Sequence, residues 1–299
     1  MFCKNRGAKL ENKSKFCVNC GWQVGSDVTK VNKTKSASGF KIPVIPIIGV
    51  IGIIAIGFLV KNLFFGGSSL AKQAKKVKVV TEYSPDTLVD EMDTVTFGSY
   101  PQSDISGDKK DPIEWIVLEK NDSEMLLLSK YILDCKCYND EEKDVTWGTC
   151  TLRKWLNDTF YDSAFSDNEK KYIIKSNVVN KDNSEYGTSG GNDTNDYVYS
   201  LSIDECRQYF GNEDANNFNK CLATKGTEYA KNVDNYGNKL WVSDATEWYG
   251  GNSAFWLRSP GTYQITATDV LGDGYVRTYG YNVGNFYSGL RPLLKVKYR

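Results

Sequence analysis

Apolar and polar positions follow different rules in successive parts of this 299-residue chain. Residues 26–41 are a basic linker without a sustained period. Residues 42–60, Ile-Pro-Val-Ile-Pro-Ile-Ile-Gly-Val-Ile-Gly-Ile-Ile-Ala-Ile-Gly-Phe-Leu-Val, carry no charge and lie between Lys41 and Lys61. At 1.5 Å per residue such a run reaches about 28 Å, the thickness of a bilayer's hydrocarbon core. Pro43 and Pro46 fall in the first turns, where proline disturbs a helix least. The pattern predicts one transmembrane helix over 42–65. The run is too long, and too far from the N-terminus, for a cleavable signal peptide. Beyond it, Gly66-Gly67-Ser68-Ser69 and the basic stretch Lys72–Lys78 predict a stalk over 66–92.

From Thr94 the pattern turns globular. Val95–Tyr100, Glu114–Glu119 and Met125–Ser129 read as short strands, the last two joined by Asn121-Asp122-Ser123. Leu152, Trp155, Leu156 and Phe160 recur at helical spacing and predict a helix over Thr151–Asp158. Ser166-x-x-Glu169 and Ser202-x-x-Glu205 are capping boxes that open two further helices. Residues 180–196 predict a long polar loop. Strands return at Phe255–Arg258, at Thr268–Leu271 and Tyr275–Tyr279 across Gly272-Asp273-Gly274, and at Leu293–Tyr298. Short helices mixed with antiparallel strands predict one α+β domain over 93–299.

The zero net charge hides a division. Residues 1–92 carry 14 Lys and Arg against 6 Asp and Glu, and residues 93–299 carry 23 against 31. An acidic large domain is repelled by nucleic-acid backbones, so nucleic acid is excluded as its partner. Histidine is absent, which removes Ser-His-Asp and Cys-His catalysis in their usual forms. Positive charge flanks both ends of the apolar run, so the orientation rests on the three N-terminal cysteines, whose thiolates persist in a reducing compartment. The expected localisation is a bacterial cell membrane, single-pass, with the N-terminus cytoplasmic and the large domain extracellular. Cys135, Cys137, Cys150, Cys206 and Cys221 leave bridges and free thiols both open, but five is odd, so one at least is unpaired within the chain.

Residues 1–25 contain Cys3-Lys-Asn-Arg6-Gly and Cys17-Val-Asn-Cys20-Gly. They resemble the short zinc-ribbon that opens many bacterial membrane proteins, in which two Cys-x-x-Cys-Gly knuckles bind one zinc. Arg6 stands where the second cysteine belongs, so the ribbon is degenerate. The resemblance carries over only Cys3, Cys17 and Cys20 as zinc ligands, one short of a closed structural site.

The large domain resembles an uncharacterised bacterial family, the domain of unknown function numbered 6273. The resemblance is carried by Trp115-Ile-Val-Leu, Thr151-Leu-Arg-Lys-Trp155-Leu-Asn, Phe160-Tyr-x-x-Ala-Phe165, Phe255-Trp-Leu-Arg-Ser-Pro-Gly261, Asp273-Gly274-x-Val276 and Gly289-Leu-Arg-Pro292. It implies a surface-exposed accessory module and supplies no activity. More distantly, a tryptophan-bearing strand, an exposed hairpin and a closing strand with glycine and arginine look like the C-type-lectin-like fold. The cysteine pair that binds copper in formylglycine-generating enzymes and the Glu-Pro-Asn motif of animal lectins are both missing.

Aromatic residues interleaved with Gly, Asn, Ser and Thr crowd the last sixty positions. Rigid aromatics among small polar neighbours suit a recognition surface. Trp248, Tyr249, Tyr263, Tyr281 and Tyr287, beside glycines in loops, are the candidate ligand-binding residues; Trp115, Trp155 and Trp256 are expected in the core. Arg258 and Arg291 are expected to be structural, paired with an acid such as Asp269 or Asp273. Asp182, Glu185, Asp193 and Asp196 offer hard oxygen donors, without the glutamate that a helix-loop-helix calcium site requires. The leading expectation is a membrane-anchored, non-catalytic binding or sensory module for glycan or protein. The alternatives are a glycan-acting enzyme using carboxylates such as Asp244 and Glu247, and a structural envelope scaffold.

Overall fold

The computed structural model describes residues 67–77, 87–211, 219–232, 251–285 and 287–299. They form a mixed α+β body, mostly antiparallel. One sheet has the order β1–β2–β3–β12–β5, from β1 (Thr94–Pro101), β2 (Lys110–Lys120), β3 (Glu124–Ser129), β12 (Leu293–Lys297) and β5 (Ile173–Ile174). A second has the order β10–β9–β8–β11–β4, from β10 (Val276–Asn282), β9 (Thr266–Val270), β8 (Phe255–Pro260), β11 (Gly289–Leu290) and β4 (Asp134–Cys135). Among these pairs only β11 with β8 is parallel. β6 (Ser176–Val178) and β7 (Thr194–Asp196) make a separate ribbon.

The expected strands are all present with shifted ends: β2 starts earlier than predicted, at Lys110, β9 and β10 each move by one or more residues, and β12 stops one residue short, at Lys297. β2 and β3 bury runs on both faces, Trp115–Leu118 and Met125–Leu128, as strands inside a packed sheet do. Trp115, Trp147 and Trp256 are fully buried, and each indole N–H finds a carbonyl or carboxylate: Phe97 O at 2.6 Å, Asp196 Oδ2 at 2.9 Å and Lys136 O at 2.9 Å. Trp155 departs from its expected place. It is half-buried, packed against Phe160, with Lys136 Nζ 4.7 Å over its ring.

Both capping boxes form. Ser166 and Glu169 open α4 (Asp167–Lys170), and Ser202 and Glu205 open α5 (Ile203–Phe210). The helix predicted over Thr151–Asp158 runs further: α2 (Thr151–Trp155) passes through a π-helical turn (Leu156–Phe160) into α3 (Tyr161–Ala164). Within the wide turn, Asn157 Oδ1 accepts the Tyr197 N–H at 2.7 Å while its Nδ2 donates to Val198 O at 2.9 Å. The amide ties the helix to the strand-like segment beside it. The polar loop 180–196 is held by its own polar groups. Asn183 Nδ2 bonds Pro260 O and Thr278 O, Asn180 is buried, and the loop ends in β7. A polar sequence here marks buried hydrogen bonding.

Arg291 sits where the chain leaves β11 in one sheet for β12 in the other. Its side chain is fully buried; Nε donates to Ser129 O at 3.0 Å and Nη1 to Leu222 O at 3.1 Å, with the guanidinium 5.3 Å from the Phe255 ring centroid. Burial pulls its pKa down to about 9, so it stays charged at neutral pH. No disulfide joins any two of the five described cysteines, and burial pushes Cys150 up to about 12.

Within the segment read as a stalk, Gly67–Ala74 forms α1, and Leu70, Ala74 and Val77 are buried in the core. Gln73 lies against the free edge of β1: Thr96 N–H donates to its Oε1 at 2.7 Å and its Nε2 donates to Thr96 O at 3.2 Å. The amide imitates a neighbouring strand. Lys120 Nζ donates to Ala74 O and Val77 O, satisfying one carbonyl at the end of α1 and one just past it. These residues differ from a solvated linker because every third or fourth position (70, 74, 77) is apolar. Among the described residues no helix is long and apolar enough to cross a membrane; the predicted span over 42–65 lies outside them, as do the basic linker and residues 1–25.

Two predictions follow from these contacts. Leu70→Ala is expected to destabilise the full chain by about 2–5 kcal/mol in a denaturant melt, as for a core leucine, whereas a stalk leucine would cost nothing. Asp134 is fully buried, accepting Tyr100 OH at 2.5 Å and Cys135 N–H at 2.7 Å. Burial raises its pKa above 3.8. The folded state therefore holds that proton more tightly than the unfolded state, and its contribution to stability falls as pH rises from 3.8 through the folded pKa. Asp134→Asn is expected to raise Tm at pH 7 and flatten its pH dependence; a lower Tm at pH 7 rejects this account.

Candidate functional site

β9 and β10 pair around Gly272-Asp273-Gly274, where Asp273 Oδ1 accepts the Tyr275 N–H at 2.8 Å and fixes the turn. Burial pushes the Asp273 carboxyl up. Val276 faces Val270 and Arg277 faces Asp269, but by Tyr281 the partner is Ala267, so β10 carries a bulge. Gly280 enables it. Its φ is +74°, and a Cβ there would stand 2.5 Å from Ala267 O. Val276, Thr278 and Gly280 face inward, and Arg277, Tyr279 and Tyr281 face out.

Arg277 anchors this outer face. Its Nε donates to Asp269 Oδ1 at 2.7 Å and its Nη2 to Oδ2 at 2.5 Å, and Ser288 Oγ adds a bond to Oδ2 at 3.2 Å. Asp269 is wholly buried; burial raises its pKa, opposed by Arg277 and Ser288. Burial also pulls Arg277 down, but the bonds and attraction from Asp269 outweigh it and raise the guanidinium. The fixed cation lies 5.8 Å from the Tyr279 ring centroid and 4.6 Å from that of Tyr281, within cation–π range.

The two rings remain 48% and 43% exposed. Tyr287, 47% exposed, adjoins Ser288 on the same carboxylate. Tyr263, 69% exposed, sits in the 261–266 turn, where Thr262 N–H donates to Tyr279 O at 2.9 Å. The outcome is an edge strand that carries exposed tyrosines on a hydrogen-bonded frame. Such a surface offers ring faces, phenol hydroxyls and one anchored cation to a partner.

Of the sequence-derived candidates, Tyr263, Tyr281 and Tyr287 are thus exposed around β10. Trp248 and Tyr249 lie outside the described residues, as do Asp244, Glu247, Cys3, Arg6, Cys17 and Cys20. Tyr279 and Arg277 were not among the candidates, although 277, 279 and 281 alternate along one strand and Asp269 and Arg277 are equally distant from the 272–274 turn. The arginine reading holds in kind but not in partner. Arg258 makes a two-pronged ion pair with Glu205 and bonds Ser200 O and Val179 O; Arg291 bonds carbonyls; Asp269 belongs to Arg277. In the polar loop, Asp182 accepts the Gly190 N–H and Asp193 the Asn180 N–H. Asp196 accepts from Arg153, Trp147 and Thr194. No group of three or more metal-ligating side chains is found among the described residues.

A family model described as "Domain of unknown function (DUF6273)" matches residues 122–298, more than half of the chain. No curated protein matches, and no solved structure matches.

The frame and the exposed rings separate energetically. Arg277→Ala strands a buried carboxylate and is expected to cost about 3–5 kcal/mol. Tyr281→Ala removes a partly exposed ring and is expected to change stability by less than about 1 kcal/mol. Urea melts of the two variants check this; equal losses would mean that Tyr281 is a core residue.

Proposed function

We propose a binding function, and its premise is plain: the chain belongs to the family described as Domain of unknown function (DUF6273). In this reading it is a membrane-anchored, surface-displayed, non-catalytic binding or sensory module that recognises glycan or protein. The observation that carries the reading is the set of exposed tyrosines 263, 279, 281 and 287 around the anchored Arg277. Tyrosines on a rigid strand lose little side-chain entropy when they meet a partner, which makes them effective contact residues. Phenol hydroxyls that project from half-exposed rings also suit the alternating apolar faces and hydroxyls of sugars.

Three further parts belong to the same proposal. The uncharged run from Ile42 supplies the anchor. The N-terminus is placed in the cytoplasm and the body outside. The C-type-lectin-like fold is the architecture to which the antiparallel α+β body is assigned, supported by the tryptophan-bearing β8, the β9–β10 hairpin and the closing β12.

The test uses the full chain in lipid nanodiscs, applied to a glycan array and to pull-downs from envelope extracts. Tyr279→Ala/Tyr281→Ala is expected to abolish whichever interaction the unaltered chain shows while leaving Tm within a few degrees. Undiminished binding by that double variant removes the tyrosine edge from the function. Cleavage of the large domain by protease on intact cells checks its display; resistance on intact cells with cleavage after lysis reverses the orientation.

A further inference from the structure

A concavity of about 440 Å³ opens between the start of α2, the π-helical turn and the β6–β7 ribbon. Arg153, Lys154, Asn157, Asp158, Lys175 and Asn195 line it, with Tyr197. It concentrates cations in a domain that carries 23 basic against 31 acidic side chains. The walls differ in how far their polar groups are already used. Arg153 is committed, since Nε and Nη2 both meet the buried Asp196 carboxylate at 2.7 Å and Nη1 donates to Gly148 O. Asn157 is committed to the backbone of residues 153, 197 and 198. Tyr197 has one face stacked on Tyr161, ring centroids 4.6 Å apart, and Lys175 Nζ 5.3 Å from its centroid. Its ring is closed to sugar stacking.

What remains is specific. Lys154 and Lys175 are exposed and have no carboxylate within salt-bridge distance among the described residues. Asp158 and Asn195 are exposed too, with no hydrogen bond to their side chains from the described residues. With Arg153 neutralised by Asp196, two ammonium groups without a carboxylate partner among the described residues, one of them over the Tyr197 ring, share the cleft with the Asp158 carboxylate, a surplus of one positive charge. A dianion would leave negative charge uncompensated, and a neutral molecule would leave the ammonium groups unused. The free carboxylate and amide in turn accept and donate to hydroxyl groups.

We propose that this cleft binds a hydroxyl-bearing ligand through a single negative charge, as carried by a carboxylated sugar or a polyol phosphodiester. Lys154 and Lys175 hold the anion, and Asp158 and Asn195 take the hydroxyls. The proposal does not depend on the tyrosine edge.

The test is titration calorimetry on the full chain in nanodiscs of zwitterionic lipid, with glucuronate, glycerophosphoglycerol and, as the neutral control, glucose. Saturable binding of an anionic probe without binding of glucose is expected, and which anion binds identifies the carboxylate or the phosphodiester as the source. Lys154→Ala/Lys175→Ala is expected to weaken it at least about tenfold. Asp158→Asn is expected to tighten the anion interaction a few-fold, an opposite sign that a merely structural role does not give. Tyr279→Ala/Tyr281→Ala is expected to leave it unchanged, so failure of this site and failure of the tyrosine edge are told apart. No saturable binding of either anion, or an affinity indifferent to loss of both lysines, overturns the proposal.

Discussion

The body depends on one buried cation. Arg291 stands between β11 and β12, at the step where the backbone passes from one five-stranded sheet to the other. A charge taken out of water is costly unless hydrogen bonds and nearby electron-rich groups replace the solvent. Arg291 meets part of that demand without a carboxylate, using carbonyls at the end of β3 and at Leu222 and the face of Phe255 on β8, while its Nη2 has no hydrogen-bond partner among the described residues. Those partners come from both sheets and from the segment before the final strands. Their mutual position is therefore set by one guanidinium fork, whose geometry a lysine would not reproduce.

The same economy of charge recurs elsewhere in the body. Asp269, Asp196 and Asp134 are all buried carboxylates. Asp269 is neutralised by a side chain that reaches the surface, Asp196 by one that borders a cleft, and Asp134 meets a tyrosine hydroxyl. In the first two cases the buried acid fixes an arginine that is itself only partly exposed. Interior electrostatics and surface geometry are linked by the same side chains.

Sequence reasoning recovered the elements whose signal is local. Capping boxes at Ser166 and Ser202, the short apolar runs of β2, β3, β8 and β9 and the alternation of β10 required only short windows. It was weaker wherever a distant partner decides the outcome. The helix from Thr151 continues past its predicted end because Asn157 finds the backbone at 197–198. Residues 180–196 look like a solvated loop because burial of Asn180 and Asn183 depends on carbonyls such as Pro260 O. For the site, glycine-flanked tyrosines were legible as exposed. Tyr279 and Arg277 were missed because both fall inside the predicted strand Tyr275–Tyr279, whereas the candidates were sought in loops, and only the register of β10 puts 277, 279 and 281 on one face. Arg291 was expected to seek an acid, and only the packed arrangement shows carbonyls in that role.

The docking of α1 moves the N-terminal limit of the folded unit. Leu70, Ala74 and Val77 are core side chains, and Gln73 covers the edge of β1. A fragment cut at Thr94 would uncover that apolar patch and the strand edge together, so a piece meant to keep the whole body has to begin ahead of Gly67.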